Sequence, residues 1–362
     1  MDTVFPFGFP VPTAFYLTMY VLTFVLHQAF MHYVLAGSLY VAWATVWRGR
    51  DSVSLTEQPL AATLRDWMPF LLSAAITAGV APLLFIQIVY QHQFYTANLL
   101  LWWRWVVVVP VLIVAFYLLY LVKSRMLWNW PYAVRVAIAV GTSISFVFVG
   151  LCFTVNHLLA NSSANWPDVY TSGRLPFSAT PVVLRMLIWI GGSFASMTVI
   201  VGWQLRYRQT SLEQGLAVVG TRSLARMSVG GIAIALVAGT AYILQCDAPS
   251  RSLVFGGIAL PYVLLTAVGA MAQLIGWSLQ WRSGRLSGIG LTASTAGASL
   301  SLLSVSVIRE VLRVRAIDLA SLSQRHADAA TVGGFGVFLV AAVIVTLLIA
   351  WCVRLVQTGM ND

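Results

Sequence analysis

Long apolar runs, broken by short clusters of arginine, glycine and proline, set the pattern of this chain. Nine runs reach or exceed the ~18–20 residues that cross a bilayer as a helix. They cover residues 14–46, 67–90, 102–122, 132–158, 181–205, 224–245, 253–279, 288–312 and 332–355. Hydrocarbon cannot satisfy the open edge of a sheet, so each run is read as a helix. The pattern predicts an all-α, polytopic transmembrane bundle of about nine helices, with residues 1–362 forming a single integral membrane domain. Several runs exceed twenty residues and are expected to tilt or protrude.

Proline and glycine mark the joints. Pro131 and Pro181 are placed to start helices, where a missing N–H costs nothing. Pro82, Pro110 and Pro261 fall inside runs and are expected to kink them. The stretch 288–306, rich in Gly, Ala, Ser and Thr, reads as a close-packing face, and so does Gly333-Gly334-Phe335-Gly336. Asn165, Trp166, Pro167, Asp168 and Tyr170 predict a short interfacial helix in the longest outer loop, 161–180. No internal repeat is visible, which counts against a transporter built on inverted repeats.

Composition supports the membrane reading. Hydrophobic residues make up 59% of the 362 residues and charged residues only 9%, against about 25% charged in soluble domains. The net charge of +10 would suggest nucleic acid in a soluble protein, but here the arginines collect at the ends of apolar runs. Orientation by the positive-inside rule and contact with anionic lipid account for them, and no nucleic-acid partner is expected. Most basic residues fall on joints shared with Arg48, Arg65, Lys123, Arg206 and Arg282. That side is expected to face the cytoplasm, leaving the N-terminus outside. The N-terminus carries no basic region of the signal-peptide kind, so the first helix is expected to serve as a retained insertion signal. Arg309, Arg313, Arg315 and Arg325 crowd the opposite side, against this preference, and therefore suggest a local role. Cys152, Cys246 and Cys352 lie far apart with no C-x-x-C spacing, so neither structural zinc nor covalently attached haem is expected.

Polar groups at membrane depth are costly and mark functional candidates. His27 and His32 sit on the first helix. Their five-residue spacing turns them roughly 140° apart, too far round to grip one metal ion together. His92 and His157 end the second and fourth helices on the outer side. A b-type haem held by imidazoles from facing helices, with guanidiniums at the rim for its acid groups, would use these parts. Arg309 and Arg313, four residues apart on one face, could supply the rim, with Glu310 pairing to Arg313. Lipid-headgroup anchoring by the arginines, and interhelical hydrogen bonding by the histidines, is the structural alternative. Gln87, Gln91 and Tyr95, in a polar patch that also holds Tyr90, His92, Gln93 and Asn98, could meet the carbonyls of a quinone in an apolar slot. The same patch could be the outer mouth of the helix in water.

The run His32-Tyr33-Val34-Leu35-Ala36-Gly37-Ser38-Leu39-Tyr40 resembles the haem-ligand histidine and close-packing turn of the cytochrome bd superfamily. The likeness is to the non-oxidase relatives of its haem-bearing membrane subunit. Ala81 to Gln87 and on to Tyr95 is similar to their following helix. Asn156 to Leu187, with Trp166, Pro181 and Arg185, is similar to their outer loop and next helix. Ile308-Arg309-Glu310-Val311-Leu312-Arg313 is similar to a basic element near their C-terminus. Gln87 stands where the oxidase proper has a carboxylate, and no histidine follows Arg185, so the resemblance implies an electron-transfer subunit rather than an oxygen reductase. It further implies the bacterial cytoplasmic membrane, a c-type cytochrome partner on the outer face, and haem b held by His32. His27, His92 and His157 compete for the second axial place, with His92 taken as the metal-binding partner of His32. A cofactor-free scaffold within a larger redox complex is the second expectation, and a transporter the third.

Overall fold

The computed structural model describes residues 11–48, 59–177, 179–208 and 214–315, together with scattered positions outside these ranges. The described chain is helical, with no strand among the described residues. Eight of its helical segments are long and apolar enough to cross a membrane, so the molecule is an all-α polytopic bundle. The expected ninth span, 332–355, lies largely outside the described residues, as do the 333–335 glycine segment, Arg325 and Cys352.

In chain order the helices are α1 (Val11–Arg48), α2 (Pro59–Val89), α3 (Gln91–Leu101), α4 (Trp103–Val106), α5 (Val108–Lys123), α6 (Arg125–Trp128) and α7 (Tyr132–Ala160). Then follow α8 (Trp166–Ser172), α9 (Thr180–Arg208), α10 (Gln214–Gln245), α11 (Ala248–Phe255), α12 (Leu260–Ser283) and α13 (Gly288–Arg315). Helix α1 is the hub, packing against α2, α7, α9 and α13. Between lipid-exposed helices there is little hydrophobic driving force, so close approach and hydrogen bonds must supply the association. The α12–α13 pair shows how. A Cβ on Gly276 would lie 2.6 Å from the Gly290 carbonyl oxygen, and one on Gly269 would lie 2.6 Å from that of Gly297. The Gly/Ser-rich 288–306 face is thus consumed by a neighbouring helix, as its composition predicts. Many hydroxyls on the spans turn back onto carbonyls four residues earlier, for example Thr45 to Val41 and Thr154 to Gly150, which satisfies them without an outside partner.

Three proline expectations change. Pro261 does not kink a span; it sits in the first turn of α12, where its missing N–H is harmless. The segment placed before it, 253–259, belongs to the separate short helix α11 and a turn. Pro110 lies in the first turn of α5, because the chain breaks at Val107. Pro131 is the residue before α7 rather than its first residue. Pro69 and Pro82 remain inside α2. The interfacial helix forms at Trp166–Ser172 and is tied back to α7 by Trp166 Nε1 donating to the Leu159 carbonyl at 2.8 Å.

Successive spans run in alternating directions. At one end Tyr20 of α1 meets Arg313 of α13, and Arg315 meets Asp247. At the other end Tyr132 bonds to Val46, and Arg206 to Leu286. Glu310 and Arg313 are buried at the first end, while Arg65 and Arg135 are buried at the other.

Candidate functional site

Helix α13 carries the centre of the polar cluster. Arg309 and Arg313 share a face, and both donate to the Tyr20 hydroxyl of α1, at 3.1 and 3.2 Å. The Arg309 guanidinium also lies over the Phe24 ring at 4.4 Å, and that of Arg313 over the Tyr90 ring at 4.2 Å. Glu310 has no solvent exposure. It accepts from the Tyr90 hydroxyl and stands 4.0 Å from Arg313, which is equally buried. The expected Glu310–Arg313 pair therefore forms, and it is a buried pair. Desolvating two charges is expensive, and such a pair holds only when further hydrogen bonds assist. Tyr20 and Tyr90 supply them.

A second layer adjoins this one. Arg185, near the start of α9, donates to His157 Nδ1 of α7 at 2.6 Å and lies over the Tyr242 ring at 5.1 Å. Asn156 beside it donates to Asn98 at 2.6 Å, tying α7 to α3. A small cleft between α7, α9 and α13 is lined by Phe153, Thr154, His157, Arg185, Trp189 and Arg309. Its empty space is about 190 Å³ counted out to its open mouth.

The hydrogen-bond partners fix the histidine tautomers. His27 Nδ1 meets the Ala75 carbonyl at 2.9 Å; a carbonyl only accepts, so Nδ1 carries the proton. His32 is buried, and its Nδ1 lies 3.1 Å from the Ser196 hydroxyl. That hydroxyl spends its one proton on the Gly192 carbonyl, at 2.9 Å, so it must accept from His32. Both rings of α1 thus keep a bare Nε2 lone pair. His157 is the opposite case. A guanidinium only donates, so Nδ1 accepts and Nε2 carries the proton. That Nε2 is buried and has no hydrogen-bond partner among the described residues.

These facts decide how far the residues fit a haem. Iron takes the imidazole lone pair, and a ligand histidine normally gives its other N–H to an acceptor. His32 and His27 meet that requirement. Gly79 leaves room for the His27 ring, since a Cβ there would come within 2.9 Å of it. His157 does not meet it while Arg185 holds Nδ1. His92 is exposed and lies against the Trp166 ring, with centroids 5.5 Å apart, so nothing in the described structure brings it to His32. The cleft is too small for a macrocycle, since pockets for drug-sized ligands begin at roughly 300 Å³. Arg309 lines it, and Arg313 does not. Among the described residues no group of three or more His, Cys, Asp and Glu could hold a metal ion.

The polar patch is less enclosed than a head-group slot requires. Gln87 is half-buried, whereas Gln91 and Tyr95 are exposed. The helix breaks at Tyr90, which turns inward to Glu310, while α3 carries Gln91 and Tyr95 outward.

Sequence reasoning missed Tyr20, Phe24, Thr154, Trp189 and Tyr242. A signal existed for the first two. Tyr16, Tyr20 and Phe24 repeat every four residues, an aromatic stripe on one face of α1, and Tyr20 and Phe24 stack with centroids 5.8 Å apart. No family model, curated protein or solved structure matches the chain.

Proposed function

We propose that the chain is the membrane subunit of an electron-transfer complex, passing electrons between quinone in the bilayer and a c-type cytochrome on the outer face through a b-type haem. The observation that carries this reading is His32, buried in the middle of α1 with its Nδ1 proton given to Ser196 and its Nε2 lone pair left for iron. A bound haem would supply one-electron redox chemistry at that depth. The chain's own residues would hold and orient it. Ser196 fixes the ring's tautomer. Arg309 offers a guanidinium toward an acid group. His27 has the same tautomer and is the reserve ligand. The exposed Gln91 and Tyr95 would meet quinone from the lipid side rather than in a closed slot, with Gln87 behind them.

The same bonds support one other reading. His27 to Ala75 and His32 to Ser196 join α1 to α2 and α9, which is what a cofactor-free scaffold would need. Adding a quinol to the purified chain in nanodiscs separates the two. Growth of a haem b α-band on addition supports the carrier; a preparation that absorbs only in the protein ultraviolet leaves the scaffold.

A further inference from the structure

We infer that the cleft between α7, α9 and α13 is a carboxylate-binding site, with Arg185, Arg309 and the Nε2–H of His157 as its donors. Three observations lead there. The first is the buried Nε2–H, a cleft-lining donor with no partner among the described residues. Leaving such a donor unmet costs about 1–3 kcal/mol, so the site is built for an acceptor. The second is the charge count. Arg185, Arg309 and Arg313 lie in the cluster with Glu310 as its one carboxylate among the described residues. Arg185 and Arg309, both half-buried, are left without a carboxylate partner among the described residues, and an anion in the cleft would be their counter-charge. The third is the lining. Arg185 and Arg309 present donors only, and the Thr154 hydroxyl is already committed to Gly150 and Met186. Phe153 and Trp189 form apolar walls. The ligand group must therefore be an acceptor, negatively charged and small. A carboxylate meets all three conditions, and fork-shaped guanidiniums match its two oxygens.

The carboxylate has two sources: a free small acid, or the acid arm of a larger bound molecule. The inference shares Arg309 with the electron-transfer reading but does not need it. It assigns His157 as an anion donor rather than an iron ligand.

The test uses the full chain purified in detergent. Thermal stability is followed against acetate, with chloride at matched ionic strength and acetamide as the neutral analogue. With a free-acid site, acetate alone raises the melting temperature and the effect saturates. His157→Phe then raises the half-saturation concentration at least tenfold. Arg309→Lys, which keeps the charge but loses the fork, serves if the first variant does not purify as a single species, with the same tenfold rise expected. With a bound acid arm, the wild type ignores acetate, and denaturing extraction releases an acid-bearing molecule that both variants retain in reduced amount. The inference is overturned if acetamide acts as well as acetate, or if the variants respond like the wild type. It is also overturned if there is neither an acetate response nor an extracted acid. A preparation with no Soret band that still responds to acetate rejects the electron-transfer reading and leaves this site standing.

Discussion

At the scale of single residues, the pair formed by Glu310 and Arg313 carries the largest stakes. Both are wholly buried; Tyr90 donates to Glu310 and Tyr20 accepts from Arg313, while Glu310 Oε2 and the Nε and Nη2 of Arg313 have no hydrogen-bond partner among the described residues. Removing one partner strands the other as an uncompensated charge, which costs about 3–5 kcal/mol. Arg313→Met is therefore expected to lower stability by that amount. Arg313→Met combined with Glu310→Gln should recover much of the loss, as read by urea unfolding in micelles. Tyr90→Phe removes only the donor to Glu310 and should cost about 1–3 kcal/mol. Glu310 with Arg313 was legible from their three-residue spacing. The tyrosines were not, because a hydroxyl on an apolar helix looks like any interfacial aromatic until the helix facing it is known. The tautomers of His32 and His157 were likewise invisible, since they depend on Ser196 and Arg185, residues far away in sequence.

At the scale of elements, α12 and α13 show what small residues do in a bilayer. Gly276 against Gly290, and Gly269 against Gly297, let two backbones touch. A methyl at Gly276 meets the Ser294 hydroxyl and also the Gly290 carbonyl oxygen, which is backbone and cannot swing away, so the helices must part. Gly276→Ala is expected to cost about 1–3 kcal/mol, the range for overpacking, and Gly276→Leu should prevent recovery of folded protein from the membrane. Size-exclusion elution and thermal midpoint check both. Gly220, whose Cβ would meet no atom within 4 Å, is the control and should tolerate alanine. Composition alone revealed this face. It did not reveal where α12 begins. Residues 253–259 are apolar enough to extend a span, yet the chain turns there, and Pro261 then opens α12 instead of bending it. Hydropathy sums over a window and cannot see a turn whose side chains are themselves apolar. The same blindness merged α4 with α5 across the break at Val107.

At the scale of the whole molecule, the buried Glu310–Arg313 pair lies at one end of the bundle, and basic-residue counting assigns that end to the outside. Cysteine introduced at Ser172, in α8, is then expected to react with an impermeant thiol reagent in intact cells, and cysteine at Ser283, at the end of α12, to react only after lysis. The reverse pattern would invert the topology. The Asp247–Arg315 bridge closes the same end at 2.7 Å, and Ser250 also binds Arg315. Hydrogen bonds from Arg315 and Ser250 hold the Asp247 carboxyl well below its ordinary range. A depressed carboxyl adds stability above its unfolded value of about 3.9 and loses it as pH falls through the folded value. The bridge is exposed, so its contribution is small. The melting temperature of wild type relative to Asp247→Asn should hold steady from neutral pH down to about 4 and converge only below that. Membrane architecture was legible throughout, because a bilayer leaves few other uses for such long apolar runs. The site was legible only in its residue types, since its geometry depends on which spans become neighbours around α1. The most direct measurement is the dithionite-reduced minus oxidised spectrum of the purified chain beside two variants. A haem b α-band that vanishes in His32→Ala and survives in His157→Phe is the expected result. A band that survives without His32, or wild-type protein with no band at all, contradicts the account.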